Sequence, residues 1–558
     1  MRRRSIRATT AALTAVAALA PLATTLTACT ADENGDAVTG IVPAPTTFET
    51  HDAPPFRLTA ESRLVATGEG AAAVAETFAA QARAATGYAL PVVDGEAAAS
   101  DLAFVVAAGE APDGVAGADE GYTLESGDEG VRLAASTAAG LFRGTQTLRQ
   151  LLPVAIERAD VTGEPDGGWT VPAASVADAP RFAYRGAMLD VARHFLPVDD
   201  VLRYIDAIAM LKLNVLHLHL TDDQGWRIQI DAWPELTRIG ASTSVGGDGG
   251  GFYTKDDYRR IVGYAAERFV TVVPELDLPG HTNAALSAYP ELNCDGVAPE
   301  PYEGVEVGFS SLCASPERAE ATDRFLADVT REVAELTPGP WLHLGGDESL
   351  STPQADYLDL VRRIAAAGAA TGKTVIGWHE MGASPALPAG TIGQYWSFVE
   401  PEEDAVAATH SFVAQGGRVI MSPADVAYLD MKYVDDPQGP LGGTLGLDWA
   451  KGPTTLDEAY LWDPAAIVPG IGEDELLGVE APLWTETIGT LGEAEFMAFP
   501  RITAIAEIGW TAAPASGSGS GAALLDTDAF FARVAGLGER WDAAGIRYYP
   551  VRGVPWRD

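Results

Sequence analysis

The residues of this chain that could do chemistry stand at the ends of short apolar runs. Asp347 and Glu348 close His-Leu-Gly-Gly-Asp-Glu. Earlier runs end in Asp190, Arg193 and His194, then in Asp222, Asp223, Gln224 and Trp226, then in Glu275, Asp277 and His281. Later ones deliver Trp378, His379 and Glu380, then Tyr395 and Trp396, then Tyr428 and Asp430, and last Trp484 and Glu486. Carboxylates mixed with indoles suit a sugar: aromatic faces stack on the C–H faces of a pyranose, and carboxylates accept its hydroxyl protons. A phosphate site would show glycine-rich loops and cations instead. Carbohydrate hydrolysis is the natural class. The rival chemistry is a divalent ion held by Asp222, Asp223, Glu275, Asp277, His281, Asp347 and Glu348. Neither HExxH nor calcium-loop spacing is present, so no metal and no cofactor is expected.

Groups scattered from Asp190 to Glu486 need a scaffold that gathers strand ends. Eight strands are predicted, at Gly186–Leu189, Val215–Leu220, Val270–Pro274, Trp341–Leu344, Thr374–Trp378, Thr391–Tyr395, Arg418–Met421 and Leu477–Ala481. Amphipathic stretches lie between them, among them Val198–Leu211, Thr254–Arg268 and Pro316–Leu336. Eight strand–helix units over about 330 residues fit a closed (β/α)8 TIM barrel, whose site lies at the C-terminal strand ends. An open doubly wound sheet would more often carry a glycine-rich loop after its first strand, and none is here. Before the barrel, helices are expected at Ala71–Gly87 and Thr137–Leu152, a strand at Leu102–Ala107, and a hairpin around Gly-Asp-Glu-Gly at 127–130. These make a small α/β (α+β) domain with no cluster of catalytic residue types and a scaffold role. The expected division is a leader over 1–29, a polar tether over 30–41, the small domain over 42–179 and the barrel over 180–558, with a Ser/Gly-rich insert near 515–522.

The 558 residues are 47% hydrophobic and 21% charged, which excludes a mostly disordered chain. With 37 basic against 78 acidic residues the net charge is −41, a surface that repels nucleic acid. Three cysteines exclude a disulfide-dense scaffold and a Cys-rich metal site. The chain opens Met-Arg-Arg-Arg-Ser-Ile-Arg and continues small and apolar to Leu-Thr-Ala-Cys, the pattern of an export signal. That ending resembles a bacterial lipobox, in which Cys29 becomes the lipid-modified first residue of a surface-anchored protein; simple secretion is the alternative. Export permits Cys294 and Cys313 to form a disulfide.

The segments RGAMLDVARHF, HLHLTDDQGWRI, PELDLPGHTNAAL, WLHLGGDES, YLDMKY and APLWTE, in this order, are highly specific. They resemble those of glycoside hydrolase family 20, the β-N-acetylhexosaminidases, and the likeness spans about 42–558. It implies an exo-acting, retaining reaction on terminal non-reducing β-linked N-acetylglucosamine or N-acetylgalactosamine. The substrate's own 2-acetamido oxygen attacks C1 and forms an oxazolinium ion, an exception to the usual pair of carboxylates. Glu348 is then the general acid/base. Asp347 stays ionised and orients the acetamido N–H, and Tyr428 donates to its carbonyl oxygen. On an extended strand Asp347 and Glu348 would point to opposite sides, which fits two separate roles. The two glycines before them are expected to let the strand end approach the sugar closely. Trp378, Trp396 and Trp484 wall in the acetamido group. Arg193 and Glu486 clamp O3 and O4, Asp430 and Trp449 lie near C6, and Asp222 with His281 stands behind the acid. The competing functions are a same-fold glycosidase releasing a disaccharide, and a non-catalytic lipid-anchored sugar-binding protein. The expected partner is an N-acetylhexosamine-terminated oligosaccharide or glycoconjugate, with membrane contact only through the lipid.

Overall fold

The computed structural model describes residues 40–110, 118–161, 163–433, 444–512 and 526–557. The leader with Cys29, nearly all of the tether and the Ser/Gly insert lie outside the described residues. Among the described residues nine strands precede the barrel: β1 (Thr47–Thr50), β2 (Phe56–Leu58), β3 (Leu64–Thr67), β4 (Val92–Val93), β5 (Leu102–Val106), β6 (Tyr122–Gly127), β7 (Gly130–Ala135), β8 (Trp169–Val171) and β9 (Ala174–Asp178). Seven of them form one mixed sheet in the order β1-β9-β6-β7-β5-β3-β4, and β2 pairs with β8 separately. On the sheet pack α1 (Ala71–Thr86) and α2 (Ala138–Leu151). Helix α1 forms because alanine carries no side-chain entropy to lose. It buries Ala71, Val74, Ala75, Phe78, Ala79 and Ala82 at helical spacing, and stops at Gly87, which takes a left-handed φ of 71°. Helix α2 starts where the Thr137 hydroxyl accepts from Gly140 N at 3.1 Å.

The eight expected barrel strands all form: β10 (Tyr184–Asp190), β11 (Val215–His219), β12 (Thr271–Glu275), β13 (Trp341–His343), β14 (Thr374–Trp378), β15 (Ile392–Tyr395), β16 (Val419–Met421) and β17 (Leu476–Ala481). They close in sequence order, and β17 returns to β10 in parallel with Tyr184 opposite Gly478 and Ala187 opposite Ala481. Tyr184, Val215, Val273, Ile376, Ile392, Ile420 and Leu477 pack into one apolar cluster. Two residues further along β11, β12 and β15 the period-2 repeat brings His217, Glu275 and Gln394 to the same face. Glu480 of β17 joins them, accepting from Gln394 Nε2 at 2.6 Å. All four are fully buried.

The small domain is joined to the barrel by a buried charge cluster. Asp178, at the end of β9, accepts from Lys212 Nζ at 2.8 Å, the Tyr122 hydroxyl at 2.7 Å and Trp510 Nε1 at 2.9 Å. After β12, Cys294 and Cys313 are bridged, with Cα atoms 5.0 Å apart.

Candidate active site

Strand β13 ends at His343, and the chain turns before it delivers its carboxylates. Gly345 and Gly346 take φ of 62° and 109°, and a Cβ on them would lie 1.7 Å from Asp277 Oδ1 and 2.2 Å from Met381 Cγ. Glycine is required here by the close approach of Asp277 and Met381. The picture of Asp347 and Glu348 on an extended strand is corrected, since β13 ends before them. Glu348 itself has φ 43° and His281 φ 54°. Left-handed backbone at two non-glycine residues that face each other is strain of the kind concentrated at functional sites.

A cavity of about 390 Å³ opens at the C-terminal strand ends. It is lined by Arg193, Asp347, Glu348, Trp396, Tyr428, Trp449, Trp484 and Glu486, all predicted site residues. The aromatic wall is continuous, with ring centroids 6.0 Å apart for Trp396 and Trp449, 5.9 Å for Tyr428 and Trp449, and 6.2 Å for Tyr428 and Trp484. Trp378, Asp222, His281 and Asp430 lie behind the lining and are buried. Trp378 stands 5.9 Å from Trp484 and donates its indole N–H to Glu275 Oε1 at 2.9 Å. Trp449 is 47% exposed and forms the rim.

Arg193 is held on three sides. Its Nη1 donates to Asp190 Oδ2 at 3.3 Å, its Nη2 lies 2.8 Å from Asp222 Oδ2, and its guanidinium sits 4.7 Å from the Trp484 ring centroid. Asp222 in turn faces His281 Nδ1 at 3.2 Å, and His281 Nε2 lies 3.4 Å from Glu348 Oε2 and 3.7 Å from Asp347 Oδ2. Burial opposes charge on Asp222, yet Arg193 and His281 hold its carboxyl well below the usual range. Burial likewise disfavours a charged His281, but Asp222 and Asp347 raise it well above the ordinary imidazole value. Burial pushes Asp347 up to about 7, against the pull of His281 and with the help of Glu380 and Glu348. That runs against an Asp347 ionised at all times: its charge calls for a cation that His281 only partly supplies. Burial also raises Glu486 and Asp430, the latter with the Glu486 charge beside it.

Among the described residues, several buried polar atoms here have no hydrogen-bond partner: Arg193 Nε, Asp347 Oδ1, Asp430 Oδ2 and Glu486 Oε2. Arg193, Asp347 and Glu486 line the cavity, so their unpartnered atoms are open to a polar molecule bound there. Other strand-end residues turn out to be structural. Asp223 accepts from Asn283 N and Ser310 Oγ, Gln224 donates to Gly304 O, Trp226 to Ile228 O, and His194 Nδ1 faces Thr485 O. Buried triads such as Asp277–His281–Asp347 and His217–Glu275–His343 bring ligating atoms within 4.8 Å. His217 and His281 in them already face carboxylates.

Other contributors to the pocket carry no sugar-binding or catalytic role in the sequence reading. Val305 and Val307, inside the disulfide loop, complete the cavity wall with Leu447. They sit in irregular chain, which offers no periodicity to read. Glu380, seen as a strand-end residue without a role, accepts from Trp396 Nε1 at 2.9 Å and is pushed up to about 7 by burial. His219 and Glu275 form a polar layer under the pocket, foreshadowed by the alternation in His-Leu-His-Leu.

Comparison with known proteins agrees with this geometry. The family description "Glycosyl hydrolase family 20, catalytic domain" matches residues 182–357 and 351–513, and "Glycosyl hydrolase family 20, domain 2" matches 38–179. A β-N-acetylhexosaminidase of Cellulomonas fimi is 41% identical over 517 residues, 92% of this chain and 97% of that protein. The solved structure of the β-N-acetylhexosaminidase of Streptomyces coelicolor A3(2) superposes with a TM-score of 0.84 at 46% identity, covering 93% of this chain and 99% of the other. That of the Streptomyces plicatus enzyme in complex with Thio-NAglucal gives 0.83 at 45%, covering 93% and 98%. With matched segments over most of its length and relatives this similar along nearly their whole chains, the protein belongs to glycosyl hydrolase family 20.

Proposed function

We propose that this glycoside hydrolase removes terminal, non-reducing β-linked N-acetylglucosamine or N-acetylgalactosamine with retention, the substrate's acetamido oxygen serving as nucleophile. The observation that carries the reading is Asp347. Its Oδ1 is buried without a partner beside Tyr428, whose hydroxyl environment feels the Asp347 charge. A carboxylate so placed can accept an acetamido N–H and then face the positive charge that develops on the oxazolinium ring. Tyr428 donates to the acetamido oxygen and aims it at C1. Trp396 and Trp484 line the space for the acetyl group, and Trp378 backs them. Glu348 protonates the leaving oxygen and later takes a proton from water, with His281 against it and Asp222 behind. Arg193 and Glu486, each with an unpartnered buried polar atom, receive the ring hydroxyls, with Asp430 and Trp449 on the C6 side. Residues 42–179 serve as a scaffold.

Progressive fluorination of the substrate's acetyl group tests this, because it makes the carbonyl oxygen a poorer nucleophile. Hydrolysis should slow steeply along the series, and an N-acetylglucosamine-thiazoline should inhibit reversibly and tightly. A rate indifferent to fluorination, with a glycosylated carboxylate in the peptide map, would replace this mechanism with a two-carboxylate one. We also propose export and lipid attachment at Cys29, for which the basic leader, the Leu-Thr-Ala-Cys ending and the disulfide speak. Membrane fractionation of Cys29→Ser against the parent decides it: equal partitioning would remove the anchor.

A further inference from the structure

Behind the Asp222–His281 pair the hydrogen bonding continues into the barrel. His219 Nε2 lies 3.0 Å from Asp222 Oδ2, on the oxygen that Arg193 also reaches, and His219 Nδ1 meets Glu275 Oε2. His217 Nε2 lies 3.1 Å from that same Glu275 oxygen, while its Nδ1 faces Glu480 Oε1 at 2.9 Å. The other oxygen of Glu275 receives the Trp378 indole N–H at 2.9 Å, with His343 Nδ1 also 2.9 Å away. Glu275, His217, His219 and His343 are fully buried.

We propose that His219 and Glu275 are positioning residues of this reaction: through Asp222 and His281 they fix the charge beside Glu348, and through the Trp378 indole they fix the back wall of the acetamido pocket. The inference rests on the reading of Glu348 as the acid.

A neutral imidazole has one N–H, and a ring whose two nitrogens both face carboxylate oxygens needs two. His219 is in that position between Glu275 and Asp222, so the buried Glu275 carboxylate keeps it an imidazolium. The directions of the shifts agree, with His219 held well above its ordinary value against the effect of burial, chiefly by Glu275, and Glu275 held well below its own despite burial, by His343, His219 and His217. The charges that face His219 are Glu275 from β12, Asp222 from the loop after β11, Asp277 from the loop after β12, and Asp190 from β10, with the Trp484 ring edge 4.9 Å away. Those that face His281 are Asp222, Asp347, Asp277 and Glu348. His219 therefore occupies one oxygen of Asp222 and leaves the other for His281, whose Nε2 lies against Glu348 Oε2. Charge and orientation reach the proton donor and the acetamido wall from the same carboxylate.

The test is the pH dependence of kcat/KM for His219→Gln, measured with aryl N-acetyl-β-glucosaminides of poor and good leaving groups. The alkaline limb reports deprotonation of the free enzyme's acid. Loss of the imidazolium that orders Asp222 and, through it, His281 should move that limb by roughly half a pH unit to one unit. The rate should fall more for the poor leaving group than for the good one. An unmoved limb with equal losses for both substrates would mean that His219 only holds the fold, and would overturn the proposal. Should His219→Gln not fold, imidazole ¹⁵N spectra of the parent enzyme answer the same question, since the chain has only eight histidines. His219 should show two protonated nitrogens throughout the active pH range, and a neutral ring there would overturn the proposal. Glu348→Gln on the same substrates separates the two levels. If it does not discriminate between leaving groups, the assignment of the acid fails. If it does while His219→Gln leaves the limb in place, only the present inference fails.

Discussion

Asp347 and Glu380 show how a site can be costly to its own fold. Burial pushes each up to about 7, far above an unfolded carboxyl. A group with a raised folded value binds more protons folded than unfolded between the two values, so stability falls as pH rises from about 4 to 7 and stays reduced above. Glu380→Gln removes one of these charges while Trp396 Nε1 keeps an oxygen to donate to. Chemical denaturation of the unliganded protein should show it more stable than the parent by about 1–3 kcal/mol at pH 8. The gain should shrink as pH falls and vanish only below about pH 4, where the carboxyl is protonated in the folded and the unfolded chain alike. A gain independent of pH would mean that packing, not charge, is responsible. The sequence made Asp347 and Glu348 conspicuous because they follow two glycines, but not why the glycines are there. Asp277 and Met381, which press on them, come from other strand ends. Proton states are illegible from sequence for the same reason: the groups that set them arrive from β10, β11, β12 and β14.

At the scale of elements, the eight barrel strands were readable because each is a short apolar run followed by polar residues, and the structure moves their ends by only a residue or two. The pocket's outer wall was not readable. Val305 and Val307 lie on a loop closed by Cys294 and Cys313 and tied down where Gln224 Nε2 donates to Gly304 O at 2.8 Å and Thr243 Oγ1 to Glu303 Oε1 at 3.0 Å. The loop holds its shape through links rather than through a repeating pattern. Replacing both cysteines by serine should lower the unfolding free energy by roughly 2–4 kcal/mol, from the entropy returned to the unfolded chain. Because the valines line the cavity without taking part in the chemistry, the same variant should raise KM more than it lowers kcat. Denaturant titration and steady-state kinetics on the pair check both, and an unchanged KM would show that the links to Gln224 and Thr243 suffice.

For the whole molecule, the decisive contact is the buried cluster at Asp178. Lys212 is fully buried, and burial lowers its affinity for a proton, an effect that Asp178 offsets only in part. Lys212→Met leaves the Asp178 carboxylate without its cation and should cost about 3–5 kcal/mol in denaturant titration. Adding Asp178→Asn should recover part of that, since an amide oxygen still accepts from Tyr122 and Trp510; no recovery would show that the shape of the cluster matters more than its charge. The cluster also dictates an order of events for a chain that folds from its first residue onward. Asp178 meets Tyr122 early and Lys212 soon afterwards, but Trp510 only after 332 more residues have been made. Until β17 arrives, one edge of β10 has no partner, and an unpaired strand edge is a template for another chain. The period in which this protein is most open to aggregation is therefore governed by the time needed to make and deliver the stretch from Asp178 to Trp510, and a more stable finished barrel would not shorten it.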